Sequence, residues 1–390
     1  MASIIPSGMR IAPRVHSVTF DWGNRVEHSV ESDNWSPTWH DDGLIYCCYG
    51  DGYGLGSGTA SGDSSLGIAQ FSSFPTTGGA VNRWGGRTPR QHDSTWENNV
   101  NDNWDTYTNE IDPIGGTAEA KSYGVFSYGG NMWMLCGAGS LGSPQCTDVR
   151  IAKSTDDSLT WTLATAETWV HANKMSFPGF LQCGQGGTEL YQDGYLYIYG
   201  QDWSQTTVTG GLVGTKDEIY LARIRPENLS LSLPASAFEY YNGLSGGQPV
   251  WSSSVSSKTF VWKEASYGFG LGTGIVWLPW LSGGHVVMTV WGLASNYGGN
   301  VTQENRPGRL LIYVSRRPWG PFTQIHNADN FQNNVTATGV GLWYSQIVRK
   351  GEDQANKKVW MGYTGWGTTT GSTVGKWDCF GAVQITFITS

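Results

Sequence analysis

Strand-forming residues run from Pro37 to His40 and again from Leu44 to Tyr49, with Asp41-Asp42-Gly43 between them. Asp and Gly tolerate the left-handed backbone of a tight reversal, so this stretch predicts a β-hairpin. The same order, turn residues and then an aliphatic and aromatic strand, returns at Gly129-Gly130-Asn131-Met132-Trp133 and Asp193-Gly194-Tyr195-Leu196-Tyr197. It returns again at Gly283-Gly284-His285-Val286-Val287 and at Lys357-Lys358-Val359-Trp360. A third strand follows each: Leu66 to Phe71, Val149 to Lys153, Glu218 to Ile224, Arg309 to Ser315 and Phe380 to Phe387. Two of these lead into short outer segments carrying a tryptophan, Ser154 to Trp161 and Ser315 to Phe322. No useful amphipathic helix and no apolar run of membrane-spanning length interrupts the series.

Units of three or four antiparallel strands, recurring about every 60–90 residues, are the signature of propeller blades, and five fit the chain. The expected fold is all-β, a five-bladed β-propeller with blades of three to four antiparallel strands around a central channel. A double-sheet sandwich is the all-β alternative, but it does not need the unit to recur. Residues 1–390 are expected to form one domain, with blades at 14–74, 117–165, 177–232, 250–326 and 335–390. The last strand is expected to pair with Val15 to Phe20, closing the ring and removing an exposed edge. Gly-rich insertions at 75–116 and Gly292 to Pro307 are expected at the rim of the channel mouth. Asn101, Asn103, Asp105, Asn109 and Asp112 are spaced loosely like a calcium loop. Thr106 stands where that loop needs Gly, so a solvated polar loop is read and no metal is expected.

Composition narrows the chemistry. Gly 54, Trp 20 and Tyr 18 against 14% charged residues suit turns, strands and flat ligands. The net charge of −8 and the lack of a basic cluster argue against nucleic acid as a partner. Met1-Ala2-Ser3 is not followed by a basic region and an apolar core, so no signal peptide is read; the chain reads as a mature secreted domain with no membrane partner. Cys47 and Cys48 are adjacent on one strand and face opposite sides. Cys136 and Cys146 flank a Gly/Ser/Pro-rich loop and are read as either bridged or reduced, since cysteine use follows compartment. The seven histidines show no metal-ligand spacing, and no Gly-x-Ser-x-Gly elbow or phosphate loop occurs. No cofactor is expected.

A hairpin returns the chain to its starting side. Asp33, entering the first strand, and Asp51, leaving the second, are therefore expected to converge away from the turn, the minimum equipment for acid/base chemistry. Asp51 follows Gly43 by eight residues, and Asp202 follows Gly194 by eight, which sets both at one level with Trp203, Trp291 and Trp366 in or beside it. Asp33 precedes Gly43 by ten residues and Lys121 precedes Gly130 by nine. A ring of Asp33, Asp51, Lys121 and Asp202 with tryptophan walls suits a neutral, hydroxyl-rich ligand such as a sugar. Asp41, Asp42 and Asp193 lie in turns at the other end and read as local caps, a reading that stays open for Asp51 and Asp202. Trp133, Trp161 and Trp360 read as filling between blades.

Two resemblances add to this. Ser154 to Trp161 resembles the Asp-box turn of sialidase propellers, with Ser158 where Gly is usual; that turn is structural, so it supports the fold and not sialidase activity. The run Ser32-Asp33-Asn34-Trp35, Thr38 to Gly43 and Tyr49-Gly50-Asp51-Gly52-Tyr53-Gly54 resembles the opening of a microbial propeller family. Phe180 to Gly184, Asp193 to Tyr197, Leu221 to Ile224, Phe238 to Gly243, Pro318 to Phe322 and Trp377 to Phe380 extend the likeness over most of the chain. That family comprises five-bladed β-propeller proteins long of unknown function and since linked to endo-D-arabinanases. The resemblance implies a glycoside hydrolase with acidic residues at the channel mouth, and Asp33 and Asp51 match that pattern. Gly52, where many relatives carry Thr, marks a divergent branch.

The expected activity is hydrolysis of a glycosidic bond in a secreted context, on a polysaccharide or glycan, with an arabinan-type furanoside as one substrate class. Asp33 is expected as base, Asp51 as acid, and Asp202 as a third carboxylate tuning a pKa. Lys121 and Gln182 are expected to contact substrate hydroxyls, and Trp35, Trp203 and Trp366 to stack on sugars. Two competitors stand beside this reading. A lectin-like propeller would keep the tryptophan walls without depending on a carboxylate pair, and a propeller polysaccharide lyase would need a Tyr or His base with a neutralising Arg or Lys.

Overall fold

The computed structural model describes residues 14–28, 32–50, 54–55, 66–76, 79–84, 121–137, 149–169, 175–202, 218–263, 274–293, 308–328, 342–365 and 380–390. Two strands, β1 (Val15–Phe20) and β2 (Val26–His28), precede the first blade, which holds β3 (Asp33–Trp39), β4 (Ile45–Gly50), β5 (Gly67–Phe71) and β6 (Val81–Trp84). The second holds β7 (Lys121–Tyr128), β8 (Asn131–Gly137), β9 (Arg150–Ser154) and β10 (Thr162–Leu163). The third has six strands: β11 (Ser176–Phe180), β12 (Leu196–Gln201), β13 (Glu218–Ile224), β14 (Glu239–Ser245), β15 (Gln248–Ser252) and β16 (Phe260–Lys263). The fourth is β17 (Gly274–Leu278), β18 (His285–Leu293), β19 (Gly308–Ser315) and β20 (Thr323–Ala328); the fifth is β21 (Leu342–Asp353), β22 (Lys358–Gly365) and β23 (Phe380–Thr389). The first strands β3, β7, β11, β17 and β21 neighbour one another in a closed ring. The molecule is a five-bladed β-propeller. Residues 248–263, of which the sequence reading gave 250 onward to the fourth blade, belong to the third sheet, because β16 pairs with the free side of β13 and β15 extends β14.

Each hairpin turn falls where the sequence pattern set it. Gly43 and Gly194 take φ of +85° and +74°, a backbone that strains any residue with a Cβ. The ring closes by antiparallel pairing of β1 with β23, Val18 opposite Phe387 and Phe20 opposite Ile385. Val15 and Val18 join Ile385, Phe387, Val359 and Met361 in one buried cluster. Aromatic side chains fill the space between blades. Trp133 is buried in the largest core cluster, and Trp161 and Trp360 pack half-buried on two others.

The outer segment after β9 folds as an Asp-box. Ser154 Oγ donates to Asp156 Oδ1 at 2.8 Å and accepts from the Ser158 N–H at 2.9 Å. Thr160 donates to Asp156 through its N–H at 2.9 Å and through Oγ1 at 2.6 Å. Ser158 takes φ of +66°, and its hydroxyl is buried with no hydrogen-bond partner among the described residues.

On the face that carries the hairpin turns, Arg349 of the fifth blade bonds Glu189 at 2.9 Å and Glu352 through two bonds at 2.9 Å. Trp280 Nε1 donates to Glu352 at 2.9 Å, so one ion cluster joins three blades. Burial pushes the Glu352 carboxyl up, but hydrogen bonds and charge from Arg349 outweigh it and hold the group below the usual carboxylate range.

Ser158→Gly relieves a left-handed side chain and removes a buried hydroxyl, so it should stabilise the protein by about 1 kcal/mol in a thermal melt. Because the folded Glu352 pKa lies below its unfolded value, its contribution is present above the unfolded pKa of about 4.3 and is lost as pH falls through the folded value. Glu352→Gln should therefore cost roughly 2 kcal/mol at neutral pH and flatten the acid limb of a stability–pH curve.

Candidate active site

The strand order gives the propeller two unlike faces. One carries the turns between the first and second strands of each blade. The other is the mouth where the inner strands begin. Asp33 is the first residue of β3 and lies opposite Gly50, the last of β4. Lys121 is the first residue of the neighbouring inner strand β7, opposite Gly137. Ser176 begins β11 opposite Gln201, and Asp202 follows directly. Backbone positions 33 and 121 thus sit at the same end of adjacent strands, at the mouth, and the side chains of Asp33 and Lys121 are not among those described. Asp51, Trp203 and Trp366 lie outside the described residues.

Four inner strands carry one residue more than their partners close to this mouth. From Asp33 to Ser36 there are three steps on β3 against two on β4, and from Ser176 to Gly179 three on β11 against two on β12. From Ser122 to Gly124 there are two on β7 against one on β8, and from Leu342 to Tyr344 two on β21 against one on β22. β17 alone keeps unbroken register. Bulges bend a strand and re-aim side chains, and they gather at barrel rims next to active sites. Two bulge residues pay for it in backbone strain: Asn34 has φ of +54° and Phe177 of +47°, each costing roughly 1–2 kcal/mol.

Side-chain hydrogen bonds, one of them from another blade, hold the bulge in β3. The Trp35 N–H donates to Thr364 Oγ1 at 3.1 Å, and the indole Nε1 donates to the Ser32 carbonyl at 2.8 Å. Ser32 Oγ in turn accepts from the Gly54 N–H at 2.7 Å. Gly50, paired with Asp33, and Gly54, bonded to the Ser32 hydroxyl, stand on either side of residues 51–53 and are therefore both tied to Ser32–Asp33. Ser32, Trp35 and Thr364 are each 0% exposed. The Trp35 ring packs against Tyr49 and Phe380, with centroids 5.2 and 5.5 Å away. This corrects the expectation that Trp35 stacks on sugar: its ring is spent on the core between the first and fifth blades.

Gln182 is corrected likewise. It lies past the end of β11, toward the turn face, where its Oε1 accepts from Thr38 Oγ1 at 2.8 Å and its Nε2 donates to the Val125 carbonyl at 2.8 Å. Its amide braces inner strands instead of facing a ligand. Nearer the mouth, Ser36 Oγ donates to Gln346 Oε1 at 3.0 Å and accepts from the Tyr344 hydroxyl at 3.0 Å. Burial pushes the Tyr344 phenol up, so it stays a donor. These bonds tie β3 to β21 roughly 10 Å below Asp33, three residues along the strand.

Asp202 is 13% exposed and ion-paired at 3.4 Å with Lys258, itself 4% exposed and set over the Tyr220 ring. Glu218 and Lys263 continue this charged row along the third blade at 2.7 Å. Burial holds the Cys48 thiol up at about 11 and the Cys183 thiol at about 12, so neither supplies a thiolate nucleophile. Cys136 is buried with its Sγ 3.7 Å from the Arg150 carbonyl, and Cys146 lies outside the described residues.

At the turn face the chemistry is structural. His40 bonds Ser127 Oγ through Nδ1 at 2.6 Å and faces Asp41 at 2.9 Å and Asp157 at 3.1 Å through Nε2, tying the first two blades together. The cleft there, lined by Trp39, Gln182, Ile347 and Arg349, encloses at most 240 Å³, below the range of about 300–1,000 Å³ typical of ligand sites. The mouth at the inner-strand starts is the better candidate.

No protein-family profile matches the chain, and no curated protein does. Among solved structures, a presumed hydrolase from Bacteroides ovatus is similar at 13% identity over 92% of this chain and 87% of that one, with a TM-score of 0.54. The α-L-arabinofuranosidase of Podospora anserina, solved with cellotriose, shares 12% identity over 95% of each chain at a TM-score of 0.47. A GH43 enzyme from Xanthomonas citri shares 13% over 94% and 91% at 0.46. At 13% identity the likeness to the Bacteroides ovatus structure speaks for the fold alone.

The burial of Trp35 is directly testable. Trp35→Phe removes one buried hydrogen bond and part of a packed ring, and should lower stability by about 2–3 kcal/mol. A residue that merely stacked on sugar would instead lose affinity with an unchanged melting temperature.

Proposed function

We propose that the chain is a glycoside hydrolase of the propeller family its sequence resembles, cleaving a polysaccharide or glycan of arabinan type outside the cell. Asp33 serves as base and Asp51 as acid. One carboxyl protonates the departing glycosidic oxygen while the other activates water or attacks the anomeric carbon. The observation that carries this is the tie at the mouth: Asp33 opens an inner strand on a strained bulge, and the chain on both sides of Asp51 is bonded or paired to the same two residues, Ser32 and Asp33. Asn34 holds its strain at the mouth end of β3, and strain of this kind clusters at functional sites. Asp202, in its pair with Lys258, is the third carboxylate of this reading. Lys121, Trp203 and Trp366 are its sugar contacts; Trp35 and Gln182 are not, since both are engaged inside the protein.

The experiment is turnover against a panel of arabinans, galactans and fungal or plant glycans, scored by released reducing ends. Asp33→Asn and Asp51→Asn should each cut kcat by roughly 10²–10⁴-fold while glycan binding stays within a few-fold of wild type. Wild-type binding without turnover on every member would make the protein a glycan-binding propeller, and unsaturated products would make it a lyase. A carboxyl separation of about 6.5–9.5 Å in a sugar complex would mark inversion, and about 5–5.5 Å retention.

A further inference from the structure

Resting on the reading of Asp33 as base, we propose that Ser32, Trp35 and Thr364 form a positioning frame that holds Asp33 at the mouth. The residues flanking Asp33 and Asn34 are both pinned. Ser32 is fixed through its carbonyl by the Trp35 indole and through its hydroxyl by the Gly54 N–H. Trp35 is fixed through its backbone N–H by the Thr364 hydroxyl. The two residues between them have no freedom to slide, and Asn34 is driven into the left-handed region at φ +54°. A non-Gly residue stays there only when its surroundings over-determine it.

Thr364 has the decisive position. It belongs to β22 of the fifth blade, opposite Tyr344 on β21 and Phe380 on β23. An ordinary strand would give the Trp35 N–H to its own sheet; here the bulge withdraws the segment from β4 and a side-chain hydroxyl from another blade accepts that hydrogen bond. The Phe380 ring packs on Trp35 from the same blade. Asp33 therefore takes its height at the mouth from the fifth blade as well as from its own. These residues touch no substrate in this reading; they act through the backbone of Asp33.

The test uses Thr364→Val, which keeps the shape and deletes the acceptor, beside Thr364→Ser, which restores it. On D-arabinan and L-arabinan, Thr364→Val should lower kcat by about tenfold or more with KM within about twofold, since an error of about 1 Å in a catalytic group can cost 10²-fold. Thr364→Ser should recover kcat to within about threefold of wild type. Hydrogen exchange at the Trp35 amide, which needs no substrate, should speed up in Thr364→Val while exchange in the other blades stays unchanged. The frame is overturned if Thr364→Val leaves Trp35 exchange as in wild type, or if kcat falls only in proportion to the folded fraction. Asp33→Asn separates the two levels: retained turnover there sinks the reading of Asp33 itself, whereas lost turnover with a wild-type Thr364→Val sinks the frame alone.

Discussion

The pairing of β1 with β23 is the constraint on which the rest depends. Five sheets set side by side have a first and a last member, and without closure each would offer an open face and an unpaired edge. Setting the N-terminal strand on the outside of the last sheet closes the circle with ordinary ladder bonds and a shared apolar cluster. Closure also presses the fifth blade against the first. That contact supplies Phe380 and Thr364 to the segment around Trp35, so the edge solution and the shape of the mouth have one origin.

The two faces of the ring use polar side chains differently. At the turn face, His40, Arg349, Glu189 and Glu352 are consumed in short bonds between blades. Around the channel, Ser36, Tyr344 and Gln346 bond one another, as do Thr38 and Gln182, across the inner strands, which a buried polar network must do to be tolerable. At the mouth regular pairing gives way in four of the five inner strands. A rigid, well-bonded body below an irregular rim suits the holding of reactive groups, because misplacement of a catalytic group by about 1 Å is costly.

Asp202 shows how a carboxylate can sit at the right height and still be shared with the fold. Its partner Lys258 comes from the segment just before β16, a strand that exists only because the third blade has grown to six. The charged row of Asp202, Lys258, Glu218 and Lys263 is thus peculiar to that blade among the described residues.

Much was legible in the chain itself. Turn residues such as Asp42-Gly43 and Asp193-Gly194, followed by strands of fixed length, set the hairpins, their count and hence the class of fold, because a strand's period and a turn's backbone are local properties. The Asp-box at Ser154 to Trp161 was legible for the same reason. Counting from the turns also set Asp33 and Lys121 at the starts of neighbouring strands. The fate of Trp35 and Gln182 was not legible: each looks like a ligand contact by type and position, yet one is buried by a fifth blade more than three hundred residues away and the other is braced between Thr38 and Val125. The bulges, the six-stranded third blade and the bond from Thr364 to Trp35 likewise arise from how sheets meet, and a contact between distant strands leaves no periodic trace in either of them.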